Sequence, residues 1–159
     1  TRIPWQYTPN MMRVYIRLGQ IYLNAAEAIN EYYGPADAYK YVNAIRNRAG
    51  LPDLPEGLSV DQMRERIKHE RRIELAFEVH RFFDVRRWLE GPQTQGVPIH
   101  SMNIWEGENM QDPAFYKRRK VEDRVFESPK HYFFPIEQAE IDKHEKRELV
   151  QNLGWTTLN

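Results

Sequence analysis

The sequence has 159 residues, 41% hydrophobic and 29% charged, a balance that allows a compact domain with its own core and excludes a disordered chain. Lys+Arg and Asp+Glu each number 23, so no net charge draws the chain toward nucleic acid or anionic lipid. It has no cysteine, which excludes disulfides, zinc–thiolate centres and thiol nucleophiles, and no apolar run approaches the ~20 residues of a membrane-spanning helix.

Residues 1–11, with Pro4 and Pro9, read as an extended lead-in, and Trp5 and Tyr7 are expected to dock on the helix that follows. From Met12 to Tyr32 the apolar residues Leu18, Ile21, Tyr22, Ala25, Ala26 and Ile29 recur at steps of three and four, which predicts a helix with one buried stripe. Gly34-Pro35 ends it. A second helix is predicted over 36–48, facing inward through Ala38, Tyr41 or Val42, and Ile45, and Gly50 is placed to cap it. The two form a helical hairpin, and Tyr15, Leu18, Gly19 and Tyr22 stand at the spacing of a tetratricopeptide first helix. Small Gly19 would admit a close partner helix.

Ser59 and Gln62 form a capping-box pattern ahead of a third helix predicted over 60–79. A fourth is expected over 81–89. Gly91-Pro92 then opens a segment, 91–130, rich in Gly, Pro, Asn, Gln and scattered aromatics, which reads as a long irregular loop. Residues 130–135 read as a short strand or extended segment, and 137–142 as a short helical turn. Trp88 and Trp155 are expected in the core. The fold class is therefore mainly α, built of tetratricopeptide-like helical hairpins in an α-α superhelix, with a long loop and little β.

Four segments carry a resemblance: Met12–Ala28, Val42–Leu51, the run Glu70–Glu78 with His80–Trp88, and Phe134-Pro135-Ile136 with Gln151-Asn152-Leu153-Gly154-Trp155. In order and spacing they resemble the C-terminal region of the SusD/RagB family. Two positions depart: Val79 stands where that family more often has Gly, and Leu153 where Pro is usual. The resemblance implies one domain over 1–159, the C-terminal region of a longer chain, with 12–90 helical, 91–130 variable and 131–159 a C-terminal segment. It implies a surface-exposed lipoprotein of the outer membrane. A lipidated N-terminal region is expected upstream of Thr1, which is itself not an initiator Met. It further implies non-enzymatic capture of glycans or related nutrients for a SusC-like, TonB-dependent transporter, with no cofactor. A helical-repeat scaffold that binds a protein partner and no small ligand is the alternative.

The charged residues Glu70, Arg71, Arg72, Glu74, Glu78, Arg81 and Asp84 read as a structural ion-pair network, with carboxylates one turn apart answering guanidinium forks on this helix or its neighbours. Glu74 and Glu78 share one helix face, whereas glycoside hydrolysis needs carboxyls on two sides of a cleft. His69-Glu70 lacks the second His that a zinc-protease helix requires, and His80, His100, His131 and His144 show no ligand spacing. The basic run 117–120, followed at once by acidic residues, reads as a solvated loop. Sugar rings stack on aromatic planes while their hydroxyls bond amides and carboxylates, so Asn103, Trp105, Glu106, Asn109 and Tyr116 are the candidate ligand residues. The competing reading makes Trp105 and Tyr116 anchors of the loop.

Overall fold

The computed structural model describes residues 16–102, 105–144 and 149–156. The expected docking of Trp5 and Tyr7, the start of the first helix before residue 16, and Asn103 lie outside these residues. The chain divides into two compact units, Thr1–Arg81 and Phe82–Asn159. The described residues are mainly helical, with one small antiparallel sheet.

The first unit holds α1 (Leu18–Tyr33), α2 (Ala38–Arg48) and α3 (Val60–Glu74). Helix α1 packs against both others. Its inward face is Leu23, Ala26 and Asn30, while Leu18 and Ile21 lie 63% and 47% exposed, so the buried stripe is rotated from the expected one. Tyr22 and Ile29 sit at its margin, packed against the core. The core joins Ala26, Ala38, Val42, Leu54, Met63 and Ile67, with Leu23, Ile45 and Leu75 as a second cluster. Buried Asn30 donates to the Val60 carbonyl (3.0 Å), binding α1 to the start of α3.

The helix ends follow local chemistry. Gly50, at φ +74, closes a Schellman turn in which Leu51 N–H donates to Arg46 O (2.9 Å) and Gly50 N–H to Asn47 O (3.0 Å). Both halves of the Ser59–Gln62 capping box form, at 3.2 and 2.9 Å. Two boundaries differ from expectation. Arg17 is extended, so within the described residues α1 begins only at Leu18. Helix α3 stops at Glu74 instead of 79, because Phe77 and Val79 take left-handed backbone (φ +65 and +68) that no α-helix continues.

Helix α4 (His80–Arg87) contains the unit boundary and ends in a second Schellman turn, here with Leu89 at φ +57. In the second unit, 91–130 is not one irregular loop. It contains α5 (Gly91–Thr94), strand β1 (Ile99–Met102), a 3-10 turn (Pro113–Tyr116) and strand β2 (Arg118–Glu122). The strands pair antiparallel, with Met102 opposite Arg118 and His100 opposite Lys120. Phe126 packs on Gly91 so closely that a Cβ there would lie 2.2 Å from the ring.

Of the expected strand or extended segment over 130–135, Lys130–Tyr132 forms a 3-10 turn instead, while Phe133 is extended; α6 (Gln138–Asp142) follows. The tail clips onto this segment. The Gln151 amide accepts from Ile136 N–H and donates to Ile136 O, both at 2.8 Å. Asn152 donates to Phe134 O (2.7 Å), and Trp155 Nε1 donates to Lys130 O (3.0 Å) and Phe133 O (3.1 Å). Trp88 and Trp155 are half-buried and so stand at the margin of the packing, not in its centre.

Candidate functional site

The charged residues of α3 tie the first unit together. Glu70, 5% exposed, pairs with Arg46 of α2. Glu74 takes Arg48 of α2 (2.6 Å) and Arg17 from before α1. Glu78 receives Arg17 Nη2 at 2.7 Å. Buried Arg71 donates to Asn24 Oδ1 (2.7 Å) and lies 4.0 Å from Glu27. Asp84 holds Arg87 at 2.8 Å. Arg72 and Arg81 form no ion pair among the described residues.

The carboxylates of α3 therefore answer Arg17, Arg46 and Arg48, none of which the sequence pattern singled out. Gly19 fits the same cluster. A Cβ there would meet Arg17 Nη1 at 2.6 Å and Glu74 Oε1 at 2.7 Å, so the space is kept for an ion pair and not for a helix backbone. Hydrogen bonds from Arg17 hold the Glu78 carboxyl below its ordinary range, against the opposing effect of burial. A carboxylate held ionised by a guanidinium is a poor general acid.

The described candidate ligand residues, Trp105, Glu106, Asn109 and Tyr116, lie in the connection between β1 and β2. Trp105 follows β1 and is 88% exposed; Tyr116 immediately precedes the basic start of β2 and is 49% exposed. Two contacts shape the connection between them. Gly107 abuts Phe115, where a Cβ would lie 2.7 Å from Phe115 Cβ, so the two limbs meet. Asp112 accepts from Ala114 N–H (2.9 Å) and Glu108 N–H (3.3 Å), spanning the turn.

Asn109 has a local duty, since its side-chain oxygen accepts from Gln111 N–H at 2.9 Å in an Asx turn. Glu106 is exposed. The structure thus brings Trp105, Glu106 and Tyr116 to one ribbon end and gives Asn109 to turn formation. Tyr116 meets the Phe115 ring edge-on at 5.2 Å. Trp105 is 88% exposed and so is scarcely covered by the described residues.

The basic run is solvated, as expected, but it is not a loop throughout: Arg118, Arg119 and Lys120 are exposed, paired residues of β2. Among the described residues, no three His, Asp or Glu side chains are grouped to hold a metal ion, and no helix is long and apolar enough to cross a membrane.

The sequence model of the SusD family matches residues 4–155. SusD-like protein P25 of Formosa agariphila is 44% identical over 79 residues, 48% of this chain and 15% of the relative. SusD-like protein P2 of the same organism is 40% identical over 89 residues, 51% of this chain and 18% of the relative. A crystal structure of a SusD-like protein from Bacteroides fragilis superimposes with a TM-score of 0.76 at 40% identity, covering 89% of this chain and 26% of that one. A SusD homologue from Bacteroides thetaiotaomicron gives 0.62 at 31% identity, covering 88% and 26%. The chain thus spans about a quarter or less of these relatives.

Proposed function

This chain belongs to the SusD family, and on that premise we propose that it is the C-terminal region of a surface-exposed outer-membrane lipoprotein that binds glycans, or a related nutrient, without chemistry. The bound nutrient is passed to a SusC-like, TonB-dependent transporter. Family membership supports the class, and the observation that favours a ligand on this part of the chain is Trp105. A large aromatic plane held 88% exposed at the end of a paired ribbon loses hydrophobic stabilisation unless something covers it. A sugar ring is such a cover, with Tyr116 beside it and Glu106 as a hydroxyl acceptor. The α3 carboxylates, engaged by Arg17, Arg46 and Arg48, favour binding over hydrolysis.

Calorimetric titration of the full-length protein with neutral and charged oligosaccharides tests this reading. Binding that weakens about tenfold in Trp105→Ala is expected, since covering a large apolar side chain contributes roughly 1.5–3 kcal/mol. Unchanged affinity in that variant removes the ribbon end from the site, and no binding of any glycan removes the function.

A further inference from the structure

Strand β2 begins with cations that the rest of the described chain does not neutralise. Lys117, Arg118 and Arg119 are exposed and form no ion pair among the described residues, while Lys120 is paired with Asp123 at 2.8 Å. Side chains alternate along a strand, so Arg118 and Lys120 share one face with His100 across the pair, and Arg119 takes the other. Like charges so placed repel one another and cost stability. Elsewhere Arg17, Arg46, Arg48 and Arg64 each face a carboxylate, while Arg66, Arg72 and Arg81 stand singly without an ion pair among the described residues; only at the start of β2 do three such cations run consecutively.

Among the nearby acids, Asp112 is committed to two backbone N–H groups, and Glu106, Glu108 and Glu122 form no ion pair with the run among the described residues. The aromatic residue Tyr116 directly precedes the cations, and Trp105 lies on the facing limb. Exposed aromatic residues and cations unpaired among the described residues therefore lie on the two limbs next to one ribbon end, with Arg118 and Arg119 on its opposite faces. Arg pairs with oxyanions through two parallel hydrogen bonds, a geometry met by the two oxygens of a planar carboxylate and by two oxygens of a tetrahedral sulfate.

We infer that the ribbon end selects glycans carrying acidic groups, uronate carboxylates or sulfate esters, through Lys117, Arg118 and Arg119 beside Trp105 and Tyr116. This rests on the glycan-binding reading above and names its substrate class.

The test titrates the full-length protein with a neutral glucan, a polyuronate, a sulfated galactan and a polyanion without sugar (polyglutamate). The triple variant K117Q/R118Q/R119Q and the control Arg66→Gln, an exposed cation of α3, are run beside it. One or both acidic glycans are expected to bind at least about tenfold tighter than the neutral glucan, and the triple variant to remove that preference while Arg66→Gln keeps it. The preference is also expected to shrink as salt rises, because exposed charges are screened. The two acidic arms report whether carboxylate or sulfate is the recognised group.

Neutral glucan bound as tightly as both acidic glycans overturns the inference and leaves the glycan reading standing. Polyglutamate bound as tightly as the acidic glycans overturns it too, as does an acidic-glycan preference that survives in the triple variant. Absence of binding by every glycan overturns both.

Discussion

Arg17 grips Glu78 through three hydrogen bonds, with Nε at 3.0 and 2.9 Å from the two carboxylate oxygens and Nη2 at 2.7 Å. The two residues are 61 positions apart. Their bond fixes the extended entry to α1 against the exit from α3, while the same guanidinium also reaches Glu74.

The pair makes stability depend on acid. Arg17 lowers the Glu78 pKa in the folded state. A carboxylate depressed on folding contributes stability that is present above its unfolded value, near 4.3, and is lost as pH falls through the lower folded value. The pair is partly solvated, with side chains 26% and 34% exposed, so the contribution is discounted to roughly 0.5–1 kcal/mol. Glu78→Gln is therefore expected to lower the urea-unfolding stability by that amount at neutral pH, and the gap to close progressively as pH falls below the unfolded carboxylate value. A gap that stays equal as pH falls would show that the charge of Glu78 is not what stabilises.

A second prediction concerns the end of α3. Val79 holds φ +68, a region in which Cβ crowds the backbone at a cost of roughly 1–2 kcal/mol, and a β-branched side chain is poorly suited to it. The side chain is 70% exposed, so little packing repays that cost. Glycine removes the strain and gives back about 0.5–1 kcal/mol through greater freedom of the unfolded chain. Val79→Gly is expected to stabilise by roughly 0.5–1 kcal/mol, and Val79→Ala, which keeps its Cβ, by less. A midpoint that falls in Val79→Gly would mean that the Val side chain has packing that outweighs its backbone conformation.

What the sequence discloses and what it hides divide by distance along the chain. Gly50 and the Ser59–Gln62 box are legible because their partners lie within four residues. The residue type and its neighbours suffice to place them. The family positions at 79 and 151–155 are legible as pattern, yet their reasons appear only in three dimensions: a left-handed φ at 79, and side-chain bonds from 151, 152 and 155 to the backbone of 130–136.

Arg17 is hidden because both its carboxylate partners are at least 57 positions away. The inward face of α1 is hidden for another reason. Leu18 and Ile21 fit a period of 3.6 as well as Leu23 and Ala26 do, and only packing against α2 and α3 chooses between the faces. The ribbon is hidden because every residue of β2 is exposed, so no alternation of apolar and polar residues marks it. For the same reason the candidate site was legible as residue types, Trp105 and Tyr116, but not as a shape.

The tail clip yields the last prediction. Gln151 replaces a neighbouring strand for Ile136, satisfying both its N–H and its C=O at 2.8 Å, while the same side-chain oxygen accepts from Asn152 N–H at 2.9 Å. Removing it leaves half-buried backbone groups without partners, at a cost of about 1–3 kcal/mol. Gln151→Ala is expected to lower stability by that amount and to speed hydrogen exchange at the Ile136 amide. Gln151→Glu separates the two halves of the contact. Its carboxylate still accepts from Ile136 N–H, so that amide keeps much of its protection, but it has no N–H for Ile136 O and sets two acceptors against each other. Stability should therefore drop in both variants while protection of the Ile136 amide drops sharply only in Gln151→Ala. Protection of the Ile136 amide that is unchanged in both variants would show that the segment is held by Asn152 and Trp155, with Gln151 a bystander.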